Sequence, residues 1–326
     1  MKFYVHLVAW EGEKFLPDFL ATFKQAARGH DVTLRVVING GQDGTQKYLE
    51  EHFPDSIAAI NPQNIGFSPA HNQLFKETLG VIEPALATDT LIVLANQDLL
   101  FSPDFFAALA AVSERHPQAA AFQPKLWRAT WGQAGETLRT KELDSTGLKI
   151  LRGYTFIDRA QGEEDVGQFT EGTVEGVNGA LCVIRASAAQ AISYPAGEVF
   201  DSSFFAYKED ADLSWRFRRA GYRMIFAPAV TAWHYRGLPG RADRGFWVRF
   251  FDRLHRSAWR GAYGTRNQFL MLIKNLEWSD VWRHGLTILV VESGRLLFGL
   301  LCEPATRRLI LRSGPDFKRA WARRVY

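Results

Sequence analysis

The first 115 residues alternate short apolar runs with amphipathic segments, and this alternation constrains the fold more than any other feature of the chain. Strands are predicted at about 2–9, 33–38, 57–60 and 90–95. Helices are predicted at about 14–27, 44–52, 69–79 and 103–115. Strands that alternate with helices form a largely parallel sheet covered by helices on its faces. The sequence therefore predicts an α/β, Rossmann-like domain.

The composition is that of a folded protein in a reducing compartment. The chain has 326 residues, of which 47% are hydrophobic, enough for a large buried core. Its two cysteines, Cys182 and Cys302, lie far apart and lack metal-ligand spacing. The apolar run at residues 3–9 contains His6 and no small-residue cleavage site, which favours a first strand over a signal peptide. A cytoplasmic protein is predicted.

The middle and the end of the chain differ from this first region. Residues 117–175 are rich in Gly, Thr and charge, with a hairpin predicted at 148–159, and are interpreted as an acceptor-side insertion. Residues 237–245 have the composition of a linker, and the remaining residues are predicted to be helical. Two regions are therefore predicted, 1–236 as the catalytic domain and 237–326 as a helical C-terminal region.

Charge separates the same two regions. Residues 241–326 carry 17 Lys and Arg against 7 Asp and Glu, a net charge of +10, whereas residues 1–240 have a net charge of −6. The basic region lacks the modular signatures of RNA and DNA readers, so nucleic acid is not a predicted partner. Residues 285–301 are apolar but interrupted by Glu292 and Arg295, which favours a helix lying on an anionic membrane surface over a membrane span. A helical cap on the catalytic domain or a homo-oligomer contact is the alternative.

Polar loops follow three of the predicted strands. Their sequences are VVINGGQDGT at 36–45, NIGFSPAHN at 64–72 and LIVLANQDLLFSPD at 91–104. An acid such as Asp98, directly after a buried strand, points into the crevice where open α/β sheets bind ligands. The glycine spacing matches neither a Walker A loop nor a dinucleotide fingerprint, which disfavours NTP hydrolysis and NAD chemistry. A simple turn at 40–44 and helix-start roles for His71 and Asn72 remain alternative interpretations.

A second acidic cluster opens a predicted helix near residue 209. Glu209, Asp210 and Asp212 begin this helix, Gly221 is its predicted end, and His234 follows a later strand. The simplest alternative is that the acids complement the helix dipole, with Asp212 paired to Arg216. A lone histidine at a strand end is also often structural.

Five motifs in the same order resemble those of the inverting family-2 glycosyltransferases of the GT-A fold, most closely the bacterial rhamnosyltransferase-like branch. They are VVINGGQDGT, NIGFSPAHN, ANQD at 95–98, VNGA at 177–180 and FFAYKEDADL at 204–213. The resemblance covers about 230 residues. It implies transfer of a sugar, with rhamnose favoured, from a nucleotide-sugar donor to a glycan or lipid-linked glycan. The implied setting is cell-surface polysaccharide synthesis at the inner face of the cytoplasmic membrane.

The resemblance also implies roles for individual residues. Asp98 is implied to bind a divalent ion, Mg²⁺ or Mn²⁺, and His234 to be a ligand of this metal or of the diphosphate. Asp210 is implied to be the catalytic base, while Glu209 and Asp212 orient the acceptor or the helix. The implied donor-binding residues are Asn39, Asp43, Asn64, Gly66, Phe67, Asn72, Asn96, Gln97 and Asn178.

Two positions depart from the family pattern. Ile38 stands where the family usually has an aspartate that reads the nucleobase, and Trp10-Glu11 stand where the first strand normally ends near an asparagine. The motifs therefore do not determine the nucleotide. Another donor such as a UDP-hexose, or a catalytically silent glycan-binding or scaffold protein, remains an alternative.

Overall fold

The structure, a computed structural model, describes residues 1–235 and 257–324, and in these residues the predicted alternation is confirmed. The described strands are β1 Lys2–Ala9, β2 Asp31–Asn39, β3 Ile57–Asn61, β4 Thr90–Asn96, β5 Leu99–Phe101, β6 Ala119–Trp131, β7 Thr137–Ser145, β8 Leu148–Leu151, β9 Thr155–Asp158, β10 Gly172–Val174, β11 Leu181–Arg185 and β12 Arg223–Tyr235. The described helices are α1 Leu16–Ala26, α2 Thr45–His52, α3 Phe67–Val81, α4 Phe105–Arg115, α5 Ala186–Ile192, α6 Glu209–Arg219, α7 Ala258–Asn275, α8 Trp278–Cys302, α9 Pro304–Arg312 and α10 Gly314–Ala322.

Ten of the described strands form one mixed sheet. Eight of them lie side by side in the order β10-β12-β6-β11-β4-β1-β2-β3, while β5 pairs with β12 and β7 pairs with β6. Strand β1 lies parallel to β2 and β4, and β12 lies parallel to β6. Strand β11 is antiparallel to both of its neighbours, β4 and β6. The carboxyl ends of β1, β2 and β4 therefore meet at one edge of the sheet, where α/β folds bind ligands.

The core forms because side chains alternate across the sheet. Phe3, Val5 and Leu7 of β1 face α1 and α4 in one buried cluster, whereas Tyr4 belongs to a second cluster on the other face. Alternation of this kind buries both faces of a strand between helical layers. The sheet therefore holds the loops at its edge in fixed positions.

The predicted insertion at 117–175 is corrected in part. Strand β6 is a long member of the main sheet between β11 and β12, and it carries β7 on its far half. The buried positions of β6, among them Phe122 and Leu126, belong to the main core, which explains why this segment cannot be a peripheral insertion. The hairpin predicted at 148–159 is confirmed as β8 and β9.

The C-terminal helices pack on the catalytic domain. Helix α7 contributes Leu270 and Met271 to a cluster with Phe204 and Trp215. The boundary predicted at 236/237 and the linker predicted at 237–245 lie outside the described residues. Within the described part, α7 is a continuation of the catalytic core.

Helix α8 has the length and composition of a membrane span. Its most apolar window has a mean hydropathy of 1.7 and is 11% buried.

Candidate active site

The end of β4 is locked to the end of β1. The Gln97 side chain accepts a hydrogen bond from the Trp10 backbone N–H at 2.9 Å and donates one to the Trp10 carbonyl at 2.7 Å. A Cβ at Gly12 would lie 2.1 Å from Oε1 of Gln97, so any larger residue there would displace the Gln97 side chain from this position. The structure therefore places Gln97, a predicted donor contact, in a strand-to-strand clamp. Asp98, the next residue, keeps 23% of its side chain exposed at the crevice.

Asp98, His234 and Asp144 form a chain of side chains at this edge. His234 Nε2 lies 3.2 Å from Asp98 Oδ1, and His234 Nδ1 lies 2.8 Å from Asp144 Oδ2. Burial lowers the pKa of His234, but the carboxylates of Asp98 and Asp144 raise it to about 10. The fully buried Asp144 fixes the orientation of the imidazole, an arrangement common behind metal-binding histidines. Asp144 carried no sequence motif, and only the pairing of β7 with β6 brings it here.

Asp210 reaches the same edge through the loop before β11. Its Oδ2 accepts a hydrogen bond from the Gly179 N–H at 3.1 Å, and a Cβ at Gly179 would lie 3.3 Å from the Asp210 Cβ. The next residue, Ala180, accepts a hydrogen bond from the backbone N–H of Asn96 at 2.9 Å. Residues 179–180 thus bridge the Asp210 side chain and the end of β4, so Asp210 lies at the edge of the sheet where Asp98 follows two residues after Asn96.

The environment of Asp210 makes it more basic than an ordinary aspartate. Burial raises its pKa, and the negative charge of Asp158 raises it further, against the opposing hydrogen bond from Gly179. Asp158 also accepts a hydrogen bond from the Asn178 amide. Sequence motifs did not indicate Asp158, because its proximity to Asp210 results from the packing of β9 beside the loop at 178–180.

The other two acids of the cluster have different surroundings. Burial, and then the charge of Asp210, raise the pKa of Glu209, which is buried beside it. Asp212 is 1% exposed, and its carboxylate pairs with Lys274 at 2.8 Å and with Arg216 at 3.1 Å. Asn275 donates a third hydrogen bond at 2.8 Å. An acceptor hydroxyl has no route to Asp212, so the structure favours orientation of the helix over contact with the acceptor.

The turn before Asp210 is held in an unusual conformation. Tyr207 and Lys208 both have left-handed backbones, with φ of 71° and 73°. Such residues cost about 1–3 kcal/mol each unless their surroundings stabilise them. Asn267 of α7 donates hydrogen bonds at 2.8 Å to the carbonyls of Ala206 and Tyr207. Helix α7 therefore holds the turn that presents Asp210.

The predicted donor loop after β2 is internally cross-linked. Asn39 is 2% exposed, and its amide donates to Asn64 Oδ1 at 3.0 Å while its carbonyl accepts from the Ile65 N–H at 3.2 Å. Gly66 has φ of 98°, and a Cβ there would lie 2.5 Å from the Phe205 carbonyl oxygen. Phe67 donates its backbone N–H to the same carbonyl at 2.6 Å. Asn39, Asn64 and Gly66 shape this loop, which contacts the turn before Asp210.

The remaining predicted donor residues also occupy structural positions. The Asn72 side chain donates a hydrogen bond to the Phe200 carbonyl at 2.9 Å and accepts one from the Phe200 N–H at 3.0 Å. The Asn178 side chain accepts a hydrogen bond from the Ala180 N–H at 2.7 Å, within its own loop. Burial raises the pKa of Asp43, but hydrogen bonds from the Thr45 side chain and from the backbone of Glu13 and Thr45 outweigh burial and lower it. Asn96 lies half-buried at the end of β4, at the crevice. Ile38 is 1% exposed in β2, so it cannot read a nucleobase.

The sheet order and the acids at its edge define a glycosyltransferase of the GT-A class. Among solved structures, GalNAc-T7 with UDP, GalNAc and Mn²⁺ aligns with a TM-score of 0.57 at 10% identity, over 97% of this chain and 55% of that one. This chain thus spans about half the length of GalNAc-T7. The structure of S. aureus TarS 1–349 aligns with a TM-score of 0.52 at 13% identity, over 98% of this chain and 81% of that one.

The family follows from the sequence match. The family described as "Glycosyltransferase like family 2" matches residues 2–254, and the chain belongs to it. A curated relative, N-acetylglucosaminyl-diphospho-decaprenol L-rhamnosyltransferase of Mycobacterium tuberculosis, is 25% identical over 235 residues, or 68% of this chain and 72% of the relative. The predicted family and fold are confirmed.

Proposed function

We propose that this protein is an inverting glycosyltransferase that moves a sugar, with rhamnose favoured, from a nucleotide-sugar donor to a lipid-linked glycan. The observation that supports this proposal is that residues 179–180 link the Asp210 carboxylate to the end of β4, the strand that Asp98 follows at the edge of the sheet. Rhamnose and a lipid-diphosphate acceptor are favoured because the curated relative is named for both. The product would serve cell-surface polysaccharide synthesis.

Asp210 is proposed as the general base. Its carboxylate takes the proton of the acceptor hydroxyl while that oxygen bonds to the anomeric carbon, and the bond from this carbon to the nucleoside diphosphate breaks. A single displacement inverts the anomeric centre. A base acts best when its pKa lies near the working pH, and the burial of Asp210 and the charge of Asp158 raise its pKa in that direction.

Asp98 and His234 are proposed to hold Mg²⁺ or Mn²⁺. Asp98 Oδ1 lies 3.2 Å from His234 Nε2, so the carboxylate and, once Nε2 has lost its proton, the imidazole would together hold the ion. In residues 1–235 and 257–324, no three His, Cys, Asp or Glu side chains form a metal cage. Such a two-ligand site is typical of an ion that completes its shell with water and donor phosphates. When bound, the ion would neutralise charge on the departing diphosphate.

A peripheral position at the inner face of the cytoplasmic membrane is part of this proposal, because a lipid-linked acceptor is presented at a bilayer surface. The loop at 64–67 contacts the turn before Asp210 through Phe205, which supports binding of donor and acceptor at neighbouring positions.

A donor panel tests the proposed reaction. The purified full chain is incubated with nucleotide-activated rhamnose, UDP-hexoses and GDP-mannose, together with a diphospholipid-linked N-acetylglucosamine acceptor. Intact-mass measurement identifies the transferred sugar, and NMR of the new linkage establishes whether the anomeric centre is inverted. We expect transfer from the rhamnose donor with inversion.

Other outcomes change the proposal in defined ways. Transfer from a UDP-hexose alone would replace rhamnose as the donor sugar and leave the roles of Asp98 and Asp210 standing. Release of no nucleotide from any donor, with the glycan still bound, would identify a silent glycan-binding or scaffold protein.

A further inference from the structure

Helix α8 exposes one continuous apolar face. At the helical spacing of about 100° per residue, seven large exposed side chains fall on the same side of the helix. They are Trp278, Trp282, Leu286, Leu289, Val290, Leu297 and Leu301, exposed by between 58% and 87%. We call this set the α8 face. A contiguous apolar surface made of seven large side chains marks an interaction site.

The opposite side of α8 is anchored in the protein. Glu292 is buried and accepts hydrogen bonds from Arg295 at 2.9 Å and Gln268 at 3.2 Å. Gly299 packs so closely on Thr306 that a Cβ would lie 2.8 Å from its methyl group. Crossing a bilayer would require this polar side to face lipid, whereas lying on the surface requires only the α8 face to do so.

Exposed basic residues occur on α8 itself and on the two helices that follow it. Arg283 is exposed on the same helix, and the following helix α9 presents Arg307, Arg308 and Arg312 around the exposed Leu311. Helix α10 adds the exposed Lys318 beside Trp321, which is 59% exposed. Aromatic and apolar side chains flanked by Lys and Arg are typical of surfaces that dock on anionic lipid headgroups.

A line of contacts joins α8 to the catalytic base. Tyr154, in the β8–β9 hairpin, donates its hydroxyl to Asp280 of α8 and stacks on Trp215 of α6. Arg295 of α8 donates to Thr155 at 3.3 Å. Strand β9 then ends at Asp158, whose carboxylate influences Asp210.

We infer that the α8 face binds the interfacial region of an anionic phospholipid bilayer, with α8 lying in the membrane plane and the β8–β9 hairpin beside the surface. This placement would present a lipid-linked acceptor to Asp210 without lifting its lipid out of the bilayer. The inference deepens the proposed function and rests on it for the acceptor, but the membrane contact itself is independent of catalysis.

Flotation of the full chain with liposomes tests the contact. Vesicles of phosphatidylglycerol and phosphatidylethanolamine are compared with vesicles of phosphatidylcholine alone, at low and at high salt. We expect strong binding to the anionic vesicles at low salt and a smaller, salt-resistant remainder due to apolar insertion. A chain that stays at the bottom of the gradient at low salt would overturn the inference.

Matched variants locate the surface. Trp282→Glu with Leu286→Glu should reduce vesicle binding about tenfold or more, since both side chains are exposed and lose apolar area that would enter the membrane. Val81→Glu with Val166→Glu is the control, because these residues are also exposed, at 61% and 75%, but lie away from α8. Equal flotation of the two double variants would overturn the inference.

Arg307→Gln with Arg308→Gln should weaken binding about fivefold per residue at low salt only.

Three further readouts separate the competing explanations. Sedimentation without vesicles compares the wild-type chain with the variant that carries Trp282→Glu and Leu286→Glu. If the wild-type chain is a dimer and the variant is a monomer, the α8 face binds a second copy and the inference fails. Resistance of the bound protein to alkaline carbonate would indicate a span and also overturn it. In activity assays, the variant should lose transfer to acceptor in vesicles and keep transfer to a soluble acceptor; loss of both would make α8 a structural support only. A chain that floats but transfers no sugar refutes the proposed function alone.

Discussion

The two ends of the crevice are held by different parts of the chain. Asp98 lies in a strand-to-strand turn and pairs with His234 of β12, which pairs in turn with Asp144 of β7 in the same sheet. Asp210 instead follows a left-handed turn that Asn267 of α7 holds by two hydrogen bonds. The Asp98 end is thus built by the sheet, and the Asp210 end depends on helices that come later in the chain.

This difference indicates how the C-terminal helices contribute to catalysis. Lys274 of α7 lies 2.8 Å from both Asp201 and Asp212, which flank the catalytic turn. Arg323, directly after α10, pairs with Asp201 at 2.8 Å and with Glu198 at 2.6 Å. Removal of the residues after Gly285 would therefore also remove the Arg323 contacts to Asp201 and Glu198. Loosening these helices should affect the base before it affects the metal end.

The largest effect is expected at the sheet-built end. Asp98→Asn should nearly abolish turnover while the fold stays intact, because the carboxylate is partly exposed and its loss removes a proposed metal ligand. Excess chelator should have the same effect on the wild-type enzyme. Turnover and Mn²⁺ binding in the presence of donor are the measurements. Asp104→Asn, exposed a few residues away, is the control. Full activity in excess chelator would remove the metal from the proposed mechanism.

At the helix-supported end, Asp210→Asn should lower kcat by at least about 100-fold, the usual contribution of a general base. Donor affinity should stay near the wild-type value, because Asp210 acts on the acceptor proton. Single-turnover kinetics and donor titration measure the two quantities. Glu209→Gln should be milder, and Asp212→Asn should destabilise the protein because it breaks a buried ion network. A parallel loss of donor affinity in Asp210→Asn would place this residue at the metal instead.

The ion network between α6 and α7 provides the next test. Lys274→Met should lower the free energy of unfolding by about 3 kcal/mol, because it removes one of the two cations that pair with each of the buried carboxylates Asp201 and Asp212 and leaves them only Arg323 and Arg216. Denaturant unfolding measures this change. Lys76→Met, on the exposed side of α3, is the control and should be near neutral. An equally stable Lys274→Met variant would show that α7 is not part of the cooperative core.

A smaller change tests the clamp on the catalytic turn. Asn267→Ala should lower kcat about tenfold, since two hydrogen bonds to the left-handed turn are lost and each contributes about 0.5–1.5 kcal/mol. Chelator sensitivity and donor affinity should be unchanged, because the Asp98 end is held by the sheet. Arg260→Ala, exposed on the same helix, serves as the control. If Asn267→Ala weakens metal binding as much as kcat, the two ends are not independent.

The smallest effect is a shift in pH dependence. The charge of Asp158 raises the pKa of Asp210, so Asp158→Asn should lower that pKa. A base acts when ionised, and activity falls as the pH drops through its pKa. The acidic limb of the kcat/KM profile should therefore move to lower pH in Asp158→Asn. Asp55→Asn, on an exposed turn, should leave the limb in place. An unmoved limb in Asp158→Asn would mean that another group titrates there.

Most of the sheet and the two central acids could be predicted from sequence. The strands before residue 100 and helix α6 follow from local hydrophobic period and helix signals, and Asp98 and Asp210 lie where those elements end or begin. The residues predicted to bind the donor lie in loops at the edge of the sheet, and most of their side chains form hydrogen bonds within the protein. Asn39, Asn72 and Gln97 all bind protein groups, because polar side chains at strand ends also satisfy the backbone of the loops around them.

The sequence by itself determined the class of fold, the order of its motifs and the two acids of the crevice, because these depend on patterns within a few residues. Tertiary structure alone decided the rest. His234 forms a hydrogen bond with Asp144, which is 90 residues away in the sequence. Asn267 forms hydrogen bonds with the turn at 206–207, about 60 residues away in the sequence. It also buried Asp212 and left the α8 face exposed. Burial and contacts between distant segments set these outcomes, and neither is encoded in the local period of a sequence.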